Sequence, residues 1–283
     1  MARYGKGKSR SLGKSTAVET AFGLLMGAVA LGVIAAVAGV CVVLGGCFPT
    51  PLPADLCPPT GPTGYLAIVI DTTDKIGSRA QKEVERVLEA SVNGLPLGTK
   101  LGLYLVVDET GDNPDGAARV TALCRPASGA DVNIWLESKS EAEEVFQSGF
   151  VAPVRAELSG MLDVEAADTS PIVEAIQLAT TDLLPFGESD APRKIIVVSD
   201  MIQNSERFSF FRGDKWEDTK GESREALGIP LAGSRVEIVR VLRPGFWDRS
   251  PGFDTDDVNL FWRELLASGG ASEAKTIARI PAD

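Results

Sequence analysis

Ala67–Gly77 reads AIVIDTTDKIG: an apolar run, then an aspartate, two threonines, a second aspartate and a lysine. An apolar run this short and continuous suits a strand covered on both faces, as in parallel α/β sheets. Its polar end would then lie at the carboxyl edge of the sheet, where such folds place ligands. Whether there is a sheet to join depends on the rest of the chain.

Tyr65–Ile70 is read as the first strand. Ser78-x-x-Gln81 has the form of a capping box, and Ile76, Ala80, Val84, Val87, Leu88 and Val92 follow at helical spacing. Leu101–Val107 is a second strand, and the turn DETGDNPDG leads to Ala118–Cys124 as its antiparallel partner. Glu141–Leu162 is helical in pattern, with Pro153 expected to kink or divide it. Ser170-Pro171 opens another helix striped by Ile172, Ile176, Ala179 and Leu183. Lys194–Ser199 is a buried strand ending in Asp200, and Val236–Leu242 is another. A helix is expected over Asp257–Ser268 and an edge strand over Thr276–Ile280. Alternating strands and helices predict an α/β fold: a Rossmann-like three-layer sandwich around a mainly parallel sheet.

Of 283 residues none is histidine, which excludes Ser-His-Asp and Cys-His nucleophile systems, His-ligated zinc and imidazole proton shuttles. Residues 1–20 carry five basic side chains against Glu19, so they hold +4 of a formal net charge of −11, leaving −15 on the remainder. An acidic body argues against nucleic acid as a partner, because phosphate binding needs a basic face.

Residues 21–46 contain no charge, and such a run is long enough to span a hydrocarbon core as a transmembrane helix. The basic flank at 1–20 places the N-terminus in the cytoplasm, and residues 47–64 form a Pro-rich spacer. The body, 65–283, is then expected outside the cytoplasm, held to the cell (inner) membrane by a single pass. A rival reading takes Leu44-Gly45-Gly46-Cys47 as a lipoprotein processing box that would leave Cys47 acylated. Gly23-xxx-Gly27 matches a small-xxx-small pattern, so a homo-oligomer through the membrane helix is a further expectation.

Two strands end in aspartate, Asp71 and Asp200, and Asp168-Thr169-Ser170 precedes a helix. If the strands are neighbours, Asp71, Thr73, Thr169 and Asp200 make a hard-oxygen set suited to Mg²⁺. Residues 65–280 resemble a von Willebrand factor A domain. In that family a first-strand Asp-x-Ser/Thr-x-Ser, a distant threonine and a fourth-strand aspartate form a metal-ion-dependent adhesion site. Asp71, Thr73, Thr169 and Asp200 match it in type and order, with TSPIVEAI and VVSDM standing at the threonine loop and the strand end.

Lys75 departs from the pattern, holding the slot of the second serine, so the site is partly degenerate. Its ammonium would repel a divalent ion, replace it, or point to solvent. Asp74, Lys75, Ser170, Gln203 and Asn204 are placed at the rim. The plain alternative for Asp71 and Asp200 is capping and loop hydrogen bonding. Trp216, Phe246 and Trp247 are read as core rather than surface. Ser170 and Ser199 lack a base and are not read as nucleophiles. In an exported body Cys57 and Cys124 would form a disulfide that pins the spacer to the sheet edge.

The expected function is therefore a membrane-tethered protein-binding module, dependent on divalent cation. The resemblance implies that an acidic side chain of the unknown partner completes the metal's shell. A structural or regulatory subunit of a membrane assembly is the alternative, binding through loops such as 203–228. A metal-dependent hydrolase comes third, since no base stands out, and the protein is read as a non-enzyme.

Overall fold

The computed structural model describes residues 15–44, 53–110, 115–133, 138–162, 167–183, 190–242 and 255–282. The chain divides into two compact units, Met1–Pro51 and Leu52–Asp283. In the first, helix α1 spans Ser15–Leu44. Among the described residues no helix is long and apolar enough to cross a membrane. The side chains described within α1 are those of 22–36 and 39, all exposed, a shorter stretch than the uncharged run at 21–46. Cys47 and its processing box lie outside the described residues.

The second unit is built on six strands: β1 (Gly64–Asp71), β2 (Thr99–Val106), β3 (Ala117–Cys124), β4 (Arg193–Ser199), β5 (Arg235–Leu242) and β6 (Glu273–Pro281). Their order is β3-β2-β1-β4-β5-β6. Only β3 runs antiparallel, joined to β2 as the hairpin pattern predicts; the other pairings are parallel. Successive residues of β1 face opposite layers. Leu66, Ile68 and Ile70 pack with α2 (Ser78–Asn93) and α4 (Ala152–Met161), while Ala67 and Val69 pack with α5 (Ile172–Leu183) and α7 (Thr255–Ser268). That two-sided burial explains the continuous apolar run. Two further helices are short: α3 (Lys139–Glu144) precedes α4, and α6 (Glu222–Ala226) lies between β4 and β5.

One local expectation is corrected. The start of α2 is not a capping box: its N-cap is Gly77, with no side-chain cap. Gln81 instead donates from Nε2 to the Leu162 carbonyl at 2.8 Å, across to the end of α4. The helical stretch around Pro153 is divided as expected: a π-helical segment over Val145–Val151 precedes α4, which carries the proline in its first turn. Proline has no N–H and its ring crowds the carbonyl four residues back, here Gly149, so wider turns relieve both conflicts.

Cys57 and Cys124 are joined by a disulfide with Cα atoms 4.7 Å apart. The Cys124 N–H also donates to the Asp55 carbonyl at 2.8 Å, so the described end of the spacer is fastened to edge strand β3. Trp216 is buried, its ring edge-on to Phe261 at 5.7 Å, as expected of core. Phe246 and Trp247 lie outside the described residues. Gly116 begins the return of the hairpin at φ 56°, and a Cβ there would stand 2.1 Å from Pro171 Cγ; no larger residue fits between β3 and the start of α5.

Candidate functional site

The strand order reverses between β1 and β4, which are neighbours with Ile70 opposite Val198. Asp71 and Asp200 therefore leave the sheet side by side, at the point where open α/β sheets bind ligands. A cleft of about 300 Å³ opens there, bordered by Thr73, Asp74, Asp168, Ser170, Asp200 and Asn204 among others.

Asp71 organises its floor. One carboxylate oxygen accepts from the Thr73 N–H at 3.1 Å and the Thr73 hydroxyl at 2.6 Å. The other accepts the Ser199 hydroxyl at 2.8 Å and the Ser170 hydroxyl at 3.2 Å. A carboxylate has about four acceptor sites, and all are engaged. Each hydroxyl, having given its proton to Asp71, keeps lone pairs free to accept or coordinate. Ser199 uses one for the Met201 N–H at 2.8 Å.

Asp200 is buried, and its Oδ1 accepts the Ile202 N–H at 2.9 Å. Between them Met201 is held at φ 69°, a left-handed conformation that costs a non-glycine residue about 1 kcal/mol. It is held in place by Ser199 and by the Trp262 indole, which donates to the Met201 carbonyl at 2.7 Å. Strain of this kind concentrates at working sites.

The third loop differs from the expected ligand set. Thr169 borders the cleft but bonds a second carboxylate: its hydroxyl donates to Asp108 at 2.6 Å, its N–H donates there at 3.0 Å, and it accepts the Glu109 N–H at 2.8 Å. Ser170, expected at the rim, supplies the hydroxyl on Asp71. Asp108 was missed by the sequence reading, although LYLVVD has the same apolar-run-to-aspartate form as AIVID. Gln203, expected at the rim, is fully buried. It accepts the Val173 N–H at 2.9 Å and donates to Glu174 at 2.9 Å, so it braces the start of α5. Asn204 does border the cleft, pairing backbone to backbone with Ser170 and donating to the Asp168 carbonyl at 2.9 Å.

Lys75 is exposed, does not border the cleft and makes no ion pair among the described residues. Of its three readings the solvent-facing one describes the structure. Arg240 of β5, whose guanidinium donates to Asn259 at 3.0 Å, feels the Asp200 charge: burial lowers its pKa from the ordinary value, and the Asp200 carboxylate acts in the opposite sense. Glu109, near the outer wall, is pushed up, first by burial, with the Glu206 N–H opposing and the neighbouring Glu174 and Glu206 charges adding to the rise.

The donor set is one of hydroxyls and carboxylates without nitrogen or sulfur, which fits a hard cation. Among the described residues no three His, Cys, Asp or Glu side chains group as a metal site. An ion here would be held by hydroxyl oxygens and its own waters, a mode natural to Mg²⁺.

No family model and no curated protein matches the chain. Solved structures do. BatB, a conserved hypothetical protein from Bacteroides thetaiotaomicron, is similar at 14% identity over 76% of this chain and 91% of its own, with a TM-score of 0.41. An aerotolerance-related membrane protein from Bacteroides fragilis is similar at 13% identity over 78% and 92%, with a TM-score of 0.37. The SpRpn10 VWA domain is similar at 12% identity over 78% and 89%, with a TM-score of 0.37. Likenesses this remote transfer no residue role. Strand order, the single antiparallel hairpin, helices on both faces and a cleft at the reversal are the protein's own, and they give the body a von Willebrand factor A-like fold.

Proposed function

We propose that this protein is a membrane-tethered, extracytoplasmic protein-binding module whose cleft at the β1–β4 reversal takes Mg²⁺ and, through it, an acidic side chain of the partner. The observation that carries the reading is the Asp71 cradle: Thr73, Ser170 and Ser199 hydroxyls, from two loops and the end of β4, are turned toward one carboxylate. That fixes their lone pairs without using them up. Bound Mg²⁺ would offer an open coordination position to a carboxylate. Thr73 and Ser170 would hold the ion directly, while Asp71 and Asp200 would supply charge and orient its waters. The tether rests on the uncharged run 21–46 behind the basic residues of 1–20, and Gly23-xxx-Gly27 within it would pair copies in the bilayer.

The test uses the full chain in zwitterionic nanodiscs. Mg²⁺ should raise the melting temperature, since a ligand bound only by the folded state stabilises it by mass action. Asp200→Ala should remove that response. A C-terminal reporter active only outside the cytoplasm checks the orientation. A second reading has its own support: the Asp71 carboxylate is already saturated by Thr73, Ser170 and Ser199. On that reading the body is a structural or regulatory subunit without a bound ion, and Mg²⁺ leaves the melting temperature unchanged.

A further inference from the structure

The loop that follows Asp200 carries Phe208, Phe210, Phe211 and Trp216, and the fold treats one of them differently. Phe208, Phe210 and Trp216 are buried and gather on Phe261 at centroid distances of 4.4, 5.3 and 5.7 Å. Phe211 instead is 55% exposed and borders the cleft. Leu97 and Ile277, also large, apolar and exposed, border no part of it. Isolated exposed apolar side chains are ordinary on a protein surface. Position, not exposure, is what sets Phe211 apart.

That position is held from the Asp71 cradle. Phe210–Arg212 is a single 3₁₀ turn, so with Phe210 packed inward Phe211 faces out. Ser209 caps the turn, accepting the Phe211 N–H at 3.2 Å and donating to the Asn204 side chain at 2.7 Å. Asn204 in turn pairs with Ser170 through backbone bonds of 2.7 and 2.9 Å, and Ser170 donates to Asp71. From the other side Arg212 donates to the Ser205 and Glu206 carbonyls at 2.8 and 3.1 Å. The ring is therefore fixed at the rim before any partner arrives, which spares binding the cost of ordering it.

We infer that Phe211 is the specificity-determining contact of the cleft, selecting a partner segment in which an apolar side chain adjoins the carboxylate. The inference rests on the reading of the cleft as a Mg²⁺-dependent protein-binding site and adds what the partner must present besides its acid. Asp74, Asp168 and Asp200 border the cleft and no lysine or arginine does, so the ion alone would hold the carboxylate. Every protein surface carries carboxylates, and an ion contact by itself discriminates little among them. An apolar neighbour covering the Phe211 ring would tighten binding and disfavour segments that lack it. A bilayer suits the place less well. One ring beside three aspartates is not the broad apolar face that lies in a membrane surface.

The experiment uses the full chain in zwitterionic nanodiscs with excess Mg²⁺. Three rhodamine-labelled, capped peptides, Gly-Asp-Gly-Gly, Gly-Asp-Leu-Gly and Gly-Leu-Asp-Gly, are titrated and followed by anisotropy. At least one leucine peptide should bind about tenfold more tightly than the glycine peptide, as expected for an apolar side chain taken from water. Phe211→Ala should reduce that ratio to about twofold or less, and Phe211→Leu, still apolar, should keep most of it. A merely structural role would weaken all three peptides alike and leave the ratio intact. Equal binding of the three peptides, or a ratio that Phe211→Ala does not change, overturns the inference and leaves the cation reading standing. So does a melting temperature raised by Mg²⁺ with no binding of any peptide. Peptide binding that neither EDTA nor Asp200→Ala reduces overturns the cation reading, and the inference with it. Brominated lipid that quenches Phe211→Trp beyond the unsubstituted chain assigns this side chain to the bilayer and also overturns the inference.

Discussion

The two ends of the central sheet are held by different chemistry. At the amino end a disulfide and backbone hydrogen bonds join the segments that flank the strands. The Cys57–Cys124 disulfide closes on β3, Gly98 N donates to Arg125 O at 2.9 Å, and Tyr65 N donates to Pro192 O at 2.9 Å. At the carboxyl end carboxylates gather the bonds: Asp71 and Asp108 accept from hydroxyls and backbone N–H groups, and Asp200 from the Ile202 N–H. Backbone and disulfide bonds stabilise without offering free lone pairs. Hydroxyls on a carboxylate stabilise less but leave acceptor sites facing outward. One end is built to stay closed, and the other can exchange an internal partner for an external one.

The sharpest break of that contrast is at the disulfide. Replacing Cys57 and Cys124 together with alanine should cost about 4 kcal/mol, from the loop-entropy cost of a 67-residue separation. Denaturant unfolding measures it. The Mg²⁺ response should survive, since nothing at the carboxyl end touches the bridge; a lost response would mean the two ends are coupled. Next in size is Asp71→Ala, which strips four hydrogen bonds of their acceptor and should cost about 2 kcal/mol. Here stability and Mg²⁺ response should fall together, and a variant that loses neither would remove Asp71 from the centre of the site.

A pH series gives a smaller effect. Glu109 has its folded pKa raised, chiefly by burial, so the folded state holds this proton more firmly than the unfolded chain. Its contribution to stability is present below the unfolded pKa and lost as pH rises through the folded one. Glu109→Gln should flatten that part of the profile of melting temperature against pH, and an unchanged slope would assign it to other groups. Lys75→Ser should do least, within about 0.5 kcal/mol, as for an exposed side chain without a partner. It should also leave the Mg²⁺ response unaltered. A gain in response would return Lys75 to the site and count against its exposed position.

The architecture was legible because it rests on periodicity. A two-sided buried strand must be apolar at every position, as Leu66–Ile70 is, and a helix on a sheet must repeat its apolar face, as Ala80, Val84, Leu88 and Val92 do. The pairing of Cys57 with Cys124 was legible as well, for want of other cysteines in the body. The detail at the strand ends was not. Thr169 and Ser170 are adjacent hydroxyls of nearly equal chemistry, and only the position of Asp108, just beyond the neighbouring strand β2, gives one to Asp108 and the other to Asp71. Gln203 looks like a loop residue in sequence, yet the buried Glu174 draws it inside.

What the sequence determined by itself is the set of strands and helices, the acidic body, and the exclusion of histidine chemistry, all of which depend on local pattern or on composition. What only the tertiary structure decided is which charges face one another. Arg240 rather than Lys75 feels the Asp200 charge, and Arg79 and Lys82 border one cavity with Arg279, some two hundred residues further along the chain. The reason is physical: a side chain's electrostatic partners are set by distances of a few ångströms through space, and separation along the chain does not record them.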